Sequence, residues 1–266
     1  MHEFDVVTAI NQEGEGLFIA ELDKSWHVGG VVHGGYVFAI AVEVALAATG
    51  RPDPLTVTMH FLGKAVGGRV EIRADVVSES RRFSSVRLDF VQNGETFATA
   101  IAMCTDLTLG GAHILVDMPQ PEYLSPGQCF RAEASGPFAP IGILDKVDLR
   151  AEPSLAGFMV GKPLGRAELG GWIRFDGREP DLKALAMFTD SFPPTLINTN
   201  TELGWTPTLE LTVHFRKRPA PGYVKVRFDS HVLTDGYLEE SGVLWDSDGD
   251  VVAMSRQLSL LPIRAL

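Results

Sequence analysis

A weak internal repeat constrains this chain more than any other feature of its sequence. The run His60-Phe61-Leu62-Gly63-Lys64-Ala65 has a counterpart 154 residues later in His214-Phe215-Arg216-Lys217-Arg218-Pro219. Thr58 and Val70 meet Thr212 and Val224 at the same offset, and Asn93-Gly94-Glu95 resembles Asp248-Gly249-Asp250 at an offset of 155, one inserted residue later. Both copies present the same order of elements. An apolar helix is expected over 35–48 and again over 182–192. Four strands follow it, over 55–62, 69–78, 84–91 and 96–107 in the first copy and over 207–217, 223–232, 237–245 and 251–261 in the second. Val70, Ile72, Ala74 and Val76 alternate with the polar Glu71, Arg73 and Asp75, the period of a half-buried strand. Asn93-Gly94 and Asp248-Gly249 predict type I′ hairpin turns, which need φ > 0 at both central residues.

The first helix is apolar on nearly every face, so an antiparallel sheet must enclose it. That arrangement is the hotdog architecture. Two in tandem make an α+β double hotdog, with two antiparallel sheets each wrapped around a central helix. The stretch from 110 to 144, rich in proline and glycine, fits neither copy and reads as a connector between an N-terminal hotdog (1–109) and a C-terminal one (145–266). A chain of 266 residues buries a core without staples. Its two cysteines, Cys104 and Cys129, lack metal-ligand spacing, which disfavours a disulfide framework or a cysteine zinc site and fits a reducing compartment. No basic stretch followed by an apolar core opens the sequence, so a cytoplasmic protein without a signal peptide is expected. The net charge of −11 argues against nucleic acid as a partner. The longest apolar run, 34–49, is interrupted by Glu43 and falls short of the ~20 residues of a membrane span.

Three polar residues of the second copy stand where chemistry could sit. Asp190 lies in Phe188-Thr189-Asp190-Ser191-Phe192-Pro193, where burial would raise a carboxyl pKa unless donors satisfy it; the alternative is a helix-end acid facing water. Thr208 opens the strand Thr208-Leu209-Glu210-Leu211. Gln257, in the last strand, falls on Ala102 in the first copy, the pattern of a duplication with one working site; a solvent-facing glutamine is the common alternative. The first copy offers His33-Gly34-Gly35 at its helix start, where glycines admit a close ligand and unpaired N–H groups can meet an oxyanion. Glu43 is the single charge on that helix. A site built mainly by the second copy, with the first supplying a wall, is therefore expected.

These segments resemble the acyl-CoA thioesterase II-type family, the double-hotdog thioesterases. Asp190, Thr208 and Gln257 match, in order, the family's catalytic aspartate, threonine and glutamine. Val32-His33-Gly34-Gly35-Tyr36 resembles the helix start of single-hotdog thioesterases, which carry an acid nine residues after the histidine. Here that position is Val42, and Glu43 points about 100° away, which argues against catalysis from the first copy. The resemblance implies hydrolysis of an acyl-CoA to acid and CoA by a water that Asp190 deprotonates and Thr208 and Gln257 hold, with no cofactor and no metal. His33, Gly34 and Gly35 would bind substrate. Arg216-Lys217-Arg218, the densest basic run, would meet the CoA phosphates, unless it is simply a solvated strand end. Pairing of double hotdogs into a homo-oligomer is compatible with this architecture. The competing readings are an acyl-CoA-binding double hotdog without turnover, a hotdog hydratase or dehydratase, disfavoured because no histidine neighbours Asp190 in sequence, and a general small-molecule binder.

Overall fold

Helix α2 (Gly34–Thr49) shows why the sheet must curve around it: ten of its residues, from Gly35 to Ala45, are buried. His33 caps its start, with the ring Nδ1 accepting the Tyr36 N–H, and Gly50 ends it in the left-handed region at φ 63°. The structure is a computed structural model that describes residues 1–110, 115–134, 141–201 and 204–261. Helix α1 (Glu3–Val7), strands β1 (Ile10–Gly14) and β2 (Leu17–Leu22), and a short ribbon of β3 (His27–Val28) and β4 (Val31–Val32) precede α2. After it come β5 (Asp53–Phe61), β6 (Gly68–Glu79), β7 (Ser84–Gln92) and β8 (Glu95–Thr105), close to the expected strands. The connector contributes β9 (Phe130–Arg131); residues 111–114 and 135–140 of it, including Gly136, Pro137 and Pro140, lie outside the described residues. The second copy consists of β10 (Asp148–Ala151), β11 (Glu168–Arg174), helix α3 (Leu182–Phe188), β12 (Thr208–Phe215), β13 (Val224–Asp229), β14 (Leu233–Thr234), β15 (Tyr237–Trp245) and β16 (Val251–Leu260). The β1–β2 hairpin and strands β10 and β11 were not anticipated from the sequence.

All strands except β3 and β4 form one antiparallel sheet, in the order β1-β2-β6-β7-β8-β5-β12-β16-β15-β13-β11-β10-β9, with β14 beside β15. The copies join at β5 and β12. Thr58 lies opposite Thr212 there, with their hydroxyls 2.9 Å apart, His60 lies opposite Glu210, and His214 opposite Thr56. Shifting one member of each pair by 154 residues returns another pair of the same ladder. The two copies are thus related by a pseudo-twofold axis at the Thr58–Thr212 pair. The double hotdog is this sheet wrapped on α2 and α3, which pack against each other.

Two local expectations are corrected. Helix α3 stops at Phe188 rather than 192. Pro193-Pro194 cannot continue a helix and disfavour helical backbone just before them. Thr189 and Ser191 turn their hydroxyls back onto the carbonyls of Ala186 and Met187. The Asn93-Gly94 turn has φ of 55° and 82°, as expected, but at Asp248-Gly249 only the glycine is positive. The buried Asp246 instead accepts the N–H groups of Asp248 and Asp250. The I′-like pair of the second copy is Asp235-Gly236, at 52° and 80°.

Candidate active site

The short helix α3 positions the acid. With α3 ended at Phe188, Asp190 sits in the following turn and its carboxylate reaches back to the start of α2, where Oδ2 accepts the Gly35 N–H at 2.6 Å. The ring Nε2 of His33 stands 2.8 Å from the Asp190 carbonyl oxygen and 3.4 Å from Oδ2. Because Nδ1 of His33 accepts the Tyr36 amide, the neutral ring carries its proton on Nε2 and donates it to Asp190. The first copy therefore supplies direct partners to the acid, not only a wall. Gly34 and Gly35 permit this approach. A Cβ on Gly34 would lie 3.0 Å from Asp190 Oδ2, and one on Gly35 2.9 Å from Asp190 Cβ. Burial pushes the Asp190 carboxyl above its ordinary range; the adjacent His33, the Gly35 amide and the Gln257 side chain act the other way.

Thr208 and Gln257 converge from neighbouring strands. Gln257 Nε2 donates to Thr208 Oγ1 at 2.5 Å and to Ser259 Oγ at 3.2 Å. A bulge next to Thr208 slips the ladder, so that Thr208 pairs with Ser259 while Leu211 pairs with Gln257. In the first copy, Pro54 pairs with Cys104 beside a matching bulge, and Val57 pairs with Ala102. The pseudo-twofold therefore places Pro54 and Ala102 where the second copy has Thr208 and Gln257. Asp190 stands nine residues after the cap of its helix, Asp181, as Val42 stands nine after His33.

Asp190, Thr208 and Gln257 all line one cavity of about 870 Å³, together with His33 and Gly34. Most of its remaining wall is apolar, including Val37, Phe61, Leu149, Leu169 and Ile197. Its wall carries a carboxylate, a hydroxyl and an amide, with the Gln257 amide hydrogen-bonded to both Thr208 and Asp190, while the apolar lining suits an aliphatic chain.

Comparison with known proteins matches residues 22–105 to the acyl-CoA thioesterase N-terminal domain and residues 121–261 to the acyl-CoA thioesterase C-terminal domain. The chain belongs to the acyl-CoA thioesterase II-type family. A “putative thioesterase II” from Thermobifida fusca YX is similar in structure, with a TM-score of 0.89, 28% identity, and coverage of 99% of this chain and 98% of that one. A hot dog fold protein of unknown function from Alicyclobacillus acidocaldarius has a TM-score of 0.87 at 24% identity, with complete coverage of both chains. An uncharacterised protein of Mycobacterium tuberculosis is 26% identical over 281 aligned positions, which cover 92% of this chain and 91% of that protein.

Within this family member the basic run lies outside the cavity wall. Arg216, Lys217 and Arg218 follow the far end of β12, and at ~3.3 Å per residue Arg218 is roughly 30 Å from Thr208 along the strand. None of the three lines the cavity. Lys217 pairs with Asp246 and Asp250. Arg218 donates from Nε and Nη2 to the two oxygens of the buried Asp53, at 2.7 and 2.9 Å, and so ties the copies together. Arg218→Gln is accordingly expected to cost about 1–3 kcal/mol in a urea melt, because it strands a buried carboxylate. The same variant should leave KM for acyl-CoA unmoved; a raised KM would return Arg218 to the substrate. Lys64, the counterpart of Arg218 by the 154-residue offset, does line the cavity. Glu43 pairs with Lys183 at 3.2 Å, between α2 and α3, and does not line the cavity.

Sequence reasoning missed one acid of the site. Glu240 lines the same cavity, is 9% exposed and accepts the Thr195 N–H on Oε2 at 2.8 Å. The signal was available in the alternation of β15: Leu238, Glu240, Gly242 and Leu244 share the buried face.

Proposed function

We propose that this protein hydrolyses acyl-CoA thioesters, with Asp190 as general base and Thr208 and Gln257 as the groups that hold the attacking water. The observation that carries this reading is the convergence of these three side chains on the wall of one largely apolar cavity. One Asp190 oxygen is occupied by the Gly35 amide, which leaves the other for the water. A thiolate leaves readily, so the base has modest work, and positioning carries much of the rate. The amides of Gly35 and Tyr36 are already bonded, to Asp190 and His33, so the oxyanion donor at the start of α2 is the Gly34 N–H, which has no partner among the described residues. In this reading residues 1–109 and 145–266 are the two repeats, joined by 110–144. Among the described residues no helix is long and apolar enough to cross a membrane, and both cysteines are free and buried. The two free thiols fit a reducing compartment, and on them we place the protein in the cytoplasm.

His33 bears on the dehydratase alternative, because it does meet Asp190 in space. Such chemistry needs an imidazole lone pair facing substrate. Here Nδ1 accepts from Tyr36 and Nε2 donates to Asp190, which favours hydrolysis.

The test is a screen of acyl-CoAs of varied chain length, following release of the CoA thiol, for the wild type and Gln257→Ala. We expect turnover by the wild type and a kcat lower by about 10²-fold in the variant with KM roughly constant, since the amide touches water and not the acyl chain. Loss of its two hydrogen bonds should cost about 1 kcal/mol of stability. Binding of acyl-CoA without thiol release would leave an acyl-CoA-binding protein, and a variant as fast as wild type would remove Gln257 from the site.

A further inference from the structure

Glu240 has no part in the water-holding triad, yet it stands directly opposite Gln257 in the β15–β16 ladder. Side chains at such opposed positions emerge on the same face about 5 Å apart. The pseudo-twofold makes the pair informative. In the first copy Val86 lies opposite Ala102, and both are fully buried. The second copy thus replaces an apolar cross-strand pair by an acid and an amide together. Burying a carboxyl where the fold also accepts valine disfavours the folded state; Oε2 takes the Thr195 N–H, so a partner for the other oxygen is to be sought beside it.

That partner has an orientation problem. The Gln257 Nε2 must face Thr208 and Asp190 for the triad to hold a water, and nothing in the chemistry of an amide prevents it from turning over. A donor aimed at its Oε1 would fix it. We propose that Glu240, in its neutral form, is that donor: a positioning residue that holds the Gln257 amide with Nε2 toward Thr208 and Asp190. The proposal rests on the reading of Gln257 as a water-holding group.

The surroundings favour the neutral carboxyl. Burial pushes the Glu240 pKa up to about 7; the Thr195 amide and hydroxyl pull it down, and the nearby Asp190 and Asp229 raise it further. Asp229, on the adjacent β13, is itself engaged by Arg227 and His231. His33 faces Asp190 rather than Glu240. Below pH ~7 Glu240 carries its proton and can donate to Gln257 Oε1. Above it the carboxylate repels Oε1, attracts Nε2 and draws the amide away from the triad.

Two measurements test this. In protein labelled with ¹⁵N-glutamine, only five glutamines contribute signals. The Gln257 side-chain amide should shift with pH with a midpoint near 7, and the shift should disappear in Glu240→Gln, whose own amide donates at every pH. In steady-state hydrolysis, wild-type kcat should fall above the same midpoint, and Glu240→Gln should abolish that alkaline fall. Glu240→Val, which reproduces the first copy's residue, should lower kcat about tenfold at pH 6.5 with KM unchanged, and a thermal melt checks that it folds. A Gln257 amide indifferent to pH, or an alkaline fall retained in Glu240→Gln, overturns the proposal. Absence of hydrolysis by the wild type at any pH would instead overturn the thioesterase reading, and the amide titration would still decide the role of Glu240.

Discussion

Asp190→Asn is expected to lower kcat for acyl-CoA hydrolysis by about 10²–10⁴-fold, the range for loss of a positioned general base. The substitution keeps the shape of the side chain, and its carbonyl oxygen can still accept the Gly35 N–H. What it removes is the ability to take a proton from water. Stability should move the other way. Burial raises the folded-state pKa of Asp190 above its unfolded value. The folded state therefore holds the proton more tightly than the unfolded one. The stability associated with that proton is complete below the unfolded pKa and is lost as pH rises through the folded one. At pH 8 the wild type bears this penalty and the asparagine variant does not, so the Tm of the variant should equal or exceed that of wild type. A variant that is both inactive and much less stable would mark Asp190 as a structural acid; one that turns over normally would move the base elsewhere.

The parts of this molecule that the sequence exposes are those with short-range or repeated signals. Period-two alternation and the 154-residue offset located the strands of β5 to β8 and of their second-copy counterparts, and Thr58 and Thr212 proved to mark the axis itself. Asp190 could be singled out as an acid in apolar surroundings, Thr208 as a polar residue opening a strand and Gln257 because its counterpart is Ala102, and the structure brings them to one cavity. Glu240 is likewise polar where the offset puts Val86 and lies on the buried face of β15, but its place opposite Gln257 is set by the cross-strand register, which pairs residues 17 positions apart. The contact of His33 with Asp190 spans 157 residues and depends on where α3 stops. The basic run shows what sequence cannot display about charge. Two of its three cations, Lys217 and Arg218, are met by Asp246, Asp250 and Asp53 from other strands and turns. Charge density along a chain says little about net charge at a place in space.

Gly35→Ala should damage both stability and the geometry of the base. A Cβ at this position would lie 2.9 Å from Asp190 Cβ, 2.9 Å from His33 Cε1 and 2.9 Å from the Met187 carbonyl oxygen. None of the three can simply swing aside. Asp190 Cβ is one bond from the backbone, the His33 ring is held at both nitrogens, and the Met187 carbonyl also accepts the Ser191 hydroxyl. Relief therefore requires the start of α2 to move from the end of α3, which lengthens the 2.6 Å bond between the Gly35 amide and Asp190. Overpacking of this kind costs about 1–3 kcal/mol, and a shift of about 1 Å in a positioned base costs about 10²-fold in rate. Urea melts and initial rates of thiol release on the same preparation measure both. Gly127→Ala is the matched control, since a Cβ there meets nothing within 4 Å, and it should change neither quantity. The diagnostic result is a lowered kcat in Gly35→Ala at temperatures where the variant is still fully folded. A folded Gly35→Ala with wild-type kcat would mean that the contact between the α2 start and Asp190 does not set the geometry of the base.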